Sequence, residues 1–262
     1  MAAYDTVHVA IAPPAILEAN LIESIAPIIN KNPYETRLLL TGMIPRIIGR
    51  YPDMQAAESA AQRLRAAGLV TIVLNDSELR KPSQVFRAQT LEFGDGEVLF
   101  RDQREQARKM TAGDVFLILE GKRQTYVDTE VSQTKMKFSL GATILTGGIP
   151  VWRQVKEKIN DRPVQIECFA RLYDRKSSEQ SIELLQHHMN YSFLGTKKAT
   201  SSLANFDIVV TLLRELFPQA IFDDRLTKLV RRDAPPEQLQ HDLEINYKLL
   251  YLYHLAIVQA EC

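Results

Sequence analysis

Between Lys135 and Lys158 five basic residues (Lys135, Lys137, Arg153, Lys156, Lys158) stand against one acid, Glu157. The same stretch holds the adjacent glycines Gly147 and Gly148 and the chain's single tryptophan, Trp152. Successive backbone N–H groups can converge on an anion where glycines let the chain curl. Cationic neighbours add to that field, and an indole can stack on a ring. The chemistry this predicts is capture of a phosphorylated or otherwise anionic small molecule by Lys135, Lys137, Gly147, Gly148, Trp152 and Arg153. The competing reading is a solvated loop whose glycines only turn the chain. A nucleotide-type phosphate loop is excluded, because G-x-x-x-x-G-K-[ST] does not occur. Single-stranded nucleic acid on Trp152 and its basic neighbours is a third reading, and it requires strongly salt-dependent binding.

Other residues with chemical potential are weaker. His187 and His188 are adjacent, and neighbouring positions of a strand point to opposite faces, so both cannot serve one site. They have no acidic or cysteine partner at metal-ligand spacing. Asp223 and Asp224, with Arg225 and the run Arg231-Arg232-Asp233, pair carboxylates that can hold a divalent cation or move protons; the plainer expectation is a cap and turn. Ser177-Ser178 and Ser201-Ser202 lack the G-x-S-x-G elbow of a hydrolase nucleophile, and Ser201 or Ser202 reads as a helix cap. Of the two cysteines, Cys168 sits in the apolar run Ile166-Glu167-Cys168-Phe169 and Cys262 is the last residue. The expectation is a buried thiol and a terminal one, with no disulfide framework and no zinc site. No metal set and no cofactor signature emerges, and whether the chain is an enzyme stays open.

The 32 basic and 32 acidic side chains cancel. The overall basic field that marks nucleic-acid binding is absent, and neutrality leaves little repulsion against self-association. Apolar residues make up 45% of the chain, enough for a real core. The start, Met1-Ala2-Ala3-Tyr4-Asp5, has no basic n-region, so a secretory signal is not supported and a cytoplasmic location is expected. The longest uncharged apolar-leaning stretch, Phe138 to Trp152, falls short of the ~20 residues of a spanning helix.

These residues need elements to position them. Val7 to Ala12 reads as a strand and Ile16 to Ile29 as a helix. Asn32-Pro33 starts a second helix, with Asn32 as cap and Pro33 at the first position. Residues 44 to 74 carry the clearest pattern: a strand at 44–51, an Asp53 cap, an Ala-rich helix with a stripe of Ala57, Ala60, Ala61 and Leu64, a Gly68 stop, and a buried strand at 69–74. The polar stretch Asn75 to Ser83 marks a boundary. Beyond it, Val85–Phe93 and 97–101 read as a hairpin around Gly94-Asp95-Gly96. Gln103 to Met110 reads as a charged loop or short helix. Asp114 to Glu120 is a buried strand, and Gly121-Lys122-Arg123 turns the chain. Tyr126 to Asp161 reads as a long loop or insertion. Strands resume at 164–173 and 181–186, with a short one at Tyr191–Gly195. A helix follows the Ser202 region, ending before Pro218, and a final helix runs from about Pro236 to Gln259 with Tyr247, Leu250, Tyr251, Tyr253 and His254 on a broad stripe.

The run Ala56-Ala57-Glu58-Ser59-Ala60-Ala61-Gln62-Arg63-Leu64-Arg65-Ala66-Ala67-Gly68-Leu69 resembles the central helix of small ferredoxin-like modules, among them sporulation-related peptidoglycan-binding repeats and ligand-sensing modules. The resemblance covers about 30 residues and implies a ferredoxin-like βαβ fold there. A peptidoglycan role would require export. In a general way the chain also resembles bacterial families to which no activity is assigned, and that likeness brings no chemistry with it. The strands of the second part, closed by a helix, follow a pleckstrin-like or similar small-barrel pattern, an analogy of fold and not of function.

The expected fold class is α+β: a ferredoxin-like unit over 1–81, a mainly antiparallel β-rich domain over 82–232, and a C-terminal helix over 233–262. The leading functional reading is a non-enzymatic binding or interaction module, such as a regulatory adaptor, because no nucleophile, base or metal constellation is coherent. The alternative is an enzyme or binder of an anionic small molecule through the 135–153 loop. The last helix either docks on its own domain or forms a contact with a protein partner or a second copy.

Overall fold

The computed structural model describes residues 5–126, 131–138, 152–159, 164–176, 180–229 and 236–261. Its contacts divide the chain into two compact units: Met1–Arg123 with Glu167–Cys262, and Gln124–Ile166. The protein is α+β. Among the described residues no helix is long and apolar enough to cross a membrane.

In the larger unit, strand β1 (Val7–Ile11) lies between β2 (Arg46–Tyr51) and β3 (Thr71–Asn75), antiparallel to both. The two flanking strands are therefore parallel to each other, and α3 (Met54–Ala66) between them makes a split βαβ unit. Local chemistry sets its ends. Asp53 Oδ1 accepts the Ala56 N–H at 2.8 Å, and Gly68 takes the left-handed conformation, φ +89°, that ends a helix. Helices α1 (Ala19–Ile25) and α2 (Pro33–Leu40) cover the same sheet face, and Asn32 caps the second by accepting from Glu35 N–H at 2.8 Å. Ala57, Ala61 and Leu64 bury with Val7, Val9, Ile11, Ile25 and Leu40 in one core.

The opposite face of this sheet carries Ala10, Ile72 and Leu74. They pack with Leu79 of α4 (Asp76–Arg80) and Leu249 of the final helix. The polar stretch after β3 is thus structured: Asn75 and Glu78 form a reciprocal capping box that starts α4. Lys248 Nζ donates to the carbonyls of Glu78 and Lys81 at the other end. A cation suits the carbonyl end of a helix.

The remaining strands of this unit build two more sheets. A five-stranded sheet contains β4 (Gln84–Ala88), β8 (Val115–Tyr126), β11 (Val164–Asp174), β12 (Gln180–Leu185) and β13 (Ile221–Leu226), in the order β13-β8-β11-β12-β4. The pairs β12/β4 and β13/β8 are parallel, and β11/β12 is antiparallel. A three-stranded antiparallel sheet joins β5 (Thr90–Phe93), β6 (Glu97–Arg101) and β7 (Ala107–Thr111). One face of the five-stranded sheet (Ile118, Ala170, Leu172, Ile182, Leu184) packs against Phe206, Val209, Val210 and Leu213 of α5 (Ser202–Leu216) and against Leu91, Val98 and Phe100. The other face (Leu117, Leu119, Phe169, Tyr173, Leu185) meets Tyr247, Leu250 and Tyr251 of α6 (Pro236–Glu261). Helix α6 therefore docks within its own chain and serves two sheets at once. In the smaller unit, β9 (Val131–Phe138) and β10 (Trp152–Ile159) form an antiparallel pair.

Several local expectations are corrected. The five-stranded sheet is open, ending at β13 and β4, and is not a pleckstrin-like barrel. Gln103–Met110 contributes the first four residues of β7, in which Ala107, Arg108 and Lys109 are exposed and Met110 is buried. Tyr191–Lys197 is a 3-10 helix, not a strand. Gly121 does not turn the chain; it continues β8. A Cβ there would lie 2.4 Å from the Phe169 ring and 2.7 Å from Leu226 Cβ. Glycine is present because two neighbouring strands press side chains over it.

Gly121→Ala should accordingly destabilise the protein by about 1–3 kcal/mol through overpacking, read as a lower urea midpoint. An open strand position would respond with the opposite sign, because alanine loses less backbone entropy on folding than glycine.

Candidate functional site

Four of the six residues singled out for anion binding lie on strands and not in a loop. In the β9/β10 ladder Lys137 stands opposite Arg153, Lys135 opposite Val155 and Trp152 opposite Phe138. Gly147 and Gly148 lie outside the described residues, as do Ser177, Ser178, Arg231, Arg232, Asp233 and Cys262. The strands escaped the sequence pattern because both arms are dominated by polar and charged residues, Ser, Gln, Thr and Lys in the first and Arg, Gln, Lys and Glu in the second, and neither presents a steady apolar alternation.

The other candidates resolve into supporting roles. His187 and His188 sit exposed in the turn after β12. Glu167 Oε1 accepts the His187 N–H at 3.0 Å and lies 4.0 Å from His188 Nε2. Ser201 caps α5, accepting from Ala204 N–H at 3.1 Å. Cys168 is buried, and burial pushes its thiol up, away from thiolate chemistry. Asp223 belongs to β13 instead of a turn. Its carboxylate accepts from His254 Nε2 at 2.8 Å and from Arg225 Nη2 at 2.6 Å, while Arg225 Nη1 donates to Met43 O at 3.1 Å. Burial opposes the Asp223 charge, and His254 and Arg225 outweigh it, holding the carboxyl well below the usual range. This cluster ties β13 to α6. Among the described residues no group of three His, Cys, Asp or Glu is set to hold a metal ion.

Sequence reasoning missed a buried ionic ladder on the α6 face of the five-stranded sheet. Arg171, Glu183 and Arg87 are successive register partners across β11, β12 and β4. Arg171 and Glu183 are each only 1% exposed. Arg171 Nη2 donates to Glu183 Oε1 at 2.6 Å, and its two terminal nitrogens fork onto Glu244 of α6 at 2.8 and 2.9 Å. Its guanidinium also lies 4.2 Å from the Tyr247 ring centroid. Arg87 Nε reaches Glu183 at 3.1 Å, and Arg123 reaches Glu167 at 2.9 Å. Burial works against both charges at the centre. For Arg171 it is outweighed by Tyr173, Glu244 and Glu183; for Glu183 it is outweighed by Arg171, Arg123 and Arg87, which hold the carboxyl below its ordinary value. Burial pushes the neighbouring Tyr173 hydroxyl up to about 12. The signal in the sequence was the polar set Glu167, Arg171, Ser181 and Glu183 inside otherwise apolar strands. Only the register reveals that these residues meet.

The second missed feature is a cleft of about 570 Å³ between β5, the 3-10 helix and α5. Phe93, Phe193, Leu194, Leu212 and Leu216 form its apolar walls, with Lys197 and Glu215 as its charged residues. Phe93 remains 37% exposed, with its ring centroid 6.2 Å from that of Phe193. Such a cleft is invisible in sequence, because its phenylalanines are 100 positions apart. No family model, curated protein or solved structure matches the chain.

Two measurements probe the electrostatics. Arg171→Met leaves Glu183 buried without its closest partner and should cost on the order of 3–5 kcal/mol at neutral pH, read by denaturant unfolding. Adding Glu183→Leu should recover much of that loss. Because the Glu183 carboxyl is held low, its stabilisation is complete above the unfolded carboxylate range and vanishes as pH falls through the folded value. The wild-type protein should thus lose stability toward acid more steeply than the double variant. Glu120 behaves oppositely: burial first, then Asp207 and Asp224, push its carboxyl up. Its ionisation costs stability as pH rises past the ordinary carboxylate range. Glu120→Gln should melt above wild type at pH 7, and the gap should close at pH 4.

Proposed function

We propose that the protein is a non-enzymatic binding module whose site is the apolar cleft between β5, the 3-10 helix and α5. The supporting observation is the cleft itself. Its volume of about 570 Å³ falls within the roughly 300–1,000 Å³ typical of small-ligand sites, and its lining is mostly apolar with few polar groups. The acid and base groups that could carry chemistry elsewhere are engaged with one another, as in Asp223 with His254 and Arg225. A role as regulatory adaptor fits a ligand seated on α5, since that helix packs on the five-stranded sheet. The split βαβ unit is the part to which a ferredoxin-like character is ascribed, and a cytoplasmic location goes with this reading. A partner or second copy on α6 draws little support, because no position from 243 to 258 is fully exposed.

One observation favours a second reading, an anionic ligand at the hairpin. The register sets Lys137 opposite Arg153, and like charges directly opposed in a ladder are unfavourable by themselves. A bound anion would offset that repulsion.

A thermal-shift screen separates the two. Small apolar compounds should raise the melting temperature as their concentration passes the dissociation constant, and Phe93→Ala with Leu216→Glu should abolish the rise. Absence of any shift from compounds with an apolar body, whether charged or neutral, or turnover of a substrate lost on mutating the cleft, overturns the leading reading. Inorganic pyrophosphate should stabilise the wild type and not the Lys137→Ala/Arg153→Ala protein if the hairpin is the site; equal response of both removes that reading.

A further inference from the structure

We infer that the cleft takes a zwitterion with a large apolar body, an α-amino acid with an aromatic side chain. This rests on the reading of the cleft as a binding site. Three features carry it. The first is the wall: Phe93 and Phe193 stand with centroids 6.2 Å apart and planes at 41°. That is a tilted pair against which a third ring packs edge to face. The second is Gly195, which breaks the 3-10 helix at φ +53°, ψ −120°. A side chain is strained in that conformation, and a Cβ built there meets nothing within 4 Å. Bare backbone next to open space is where a ligand can approach the chain closely.

The third feature is charge. Lys197 and Glu215 line the same cleft, and among the described residues neither enters an ion pair. They are opposite charges that do not neutralise each other across the cleft. Glu215 also lies in the last turn of α5, where the helix's carbonyl end disfavours an acid and favours a cation. An ammonium group satisfies both the carboxylate and the helix end. A carboxylate of the same ligand answers Lys197. A purely apolar ligand would leave both charges unanswered, and a simple anion would leave Glu215 facing it.

Calorimetric titration of the full chain with L-phenylalanine, phenethylamine, 3-phenylpropionate and benzyl alcohol tests this. L-Phenylalanine should bind about tenfold more tightly than either half-charged analogue, the scale of one charge-assisted contact. Lys197→Met should bring L-phenylalanine down to phenethylamine, and Glu215→Gln should bring it down to 3-phenylpropionate. Both positions are exposed, so folding should survive, with circular dichroism as the check. If all four compounds bind alike and the variants change nothing, the zwitterion inference fails and the apolar cleft stands. If none binds and no apolar compound shifts the melting temperature, both fail.

Discussion

A single buried guanidinium organises the larger unit. Arg171 projects from the middle of the five-stranded sheet, where burial of an isolated charge would cost several kcal/mol. It is tolerable only because Glu183 on the adjacent strand and Glu244 on α6 converge on it with short, charge-assisted bonds. The constraint runs both ways. Any sliding of β12 against β11, or of α6 against the sheet, would strand a charge in a low-dielectric interior. Apolar contacts such as Phe169 with Tyr247 supply area, but they do not discriminate among registers so sharply. The ladder adds specificity of placement to the non-directional attraction of the core.

That placement matters because α6 is shared. Its Leu249 closes the three-stranded β2-β1-β3 sheet, while Tyr247, Leu250 and Tyr251 close the five-stranded one. The N-terminal βαβ unit and the β-rich region consequently belong to one compact body, although the polar stretch at Asn75–Ser83 reads as a boundary. Helix α4 fills that stretch, and Lys248 holds its carbonyl end to α6. The contact map is correspondingly non-local: β4 pairs with β12 nearly a hundred positions away. Such pairings must close long loops before they are rewarded.

The two faces of the five-stranded sheet divide the labour. Toward α6 lie the ion ladder and the Asp223–His254 contact, where carboxylates are engaged by internal cations. Toward α5 lie an apolar core and, at the C-terminal end of that helix, the open cleft with its phenylalanine pair and with Lys197 and Glu215, which enter no ion pair among the described residues. The basic hairpin forms a separate unit with its own ladder.

Much of the local structure was legible from residue order alone, because its causes are local. Asn32, Asp53 and Ser201 cap helices through side chains that reach donors three residues on, and the Ala57–Leu64 stripe buries at helix spacing. Where a residue's role depends on a distant neighbour, the same sequence misled. Gly121 looked like a turn because nothing nearby says that Phe169 presses on it. The hairpin arms looked like loop because their polar side chains hide a period of two. Asp223 looked like a cap because His254 is thirty-one positions away. By itself the sequence determined the α+β composition, the helix ends and the buried apolar strands, all set by interactions spanning a few residues. Tertiary structure alone decided the register that joins Arg171 to Glu183 and Glu244, and the meeting of Phe93 with Phe193, because pairing across a sheet is chosen by the whole chain's burial.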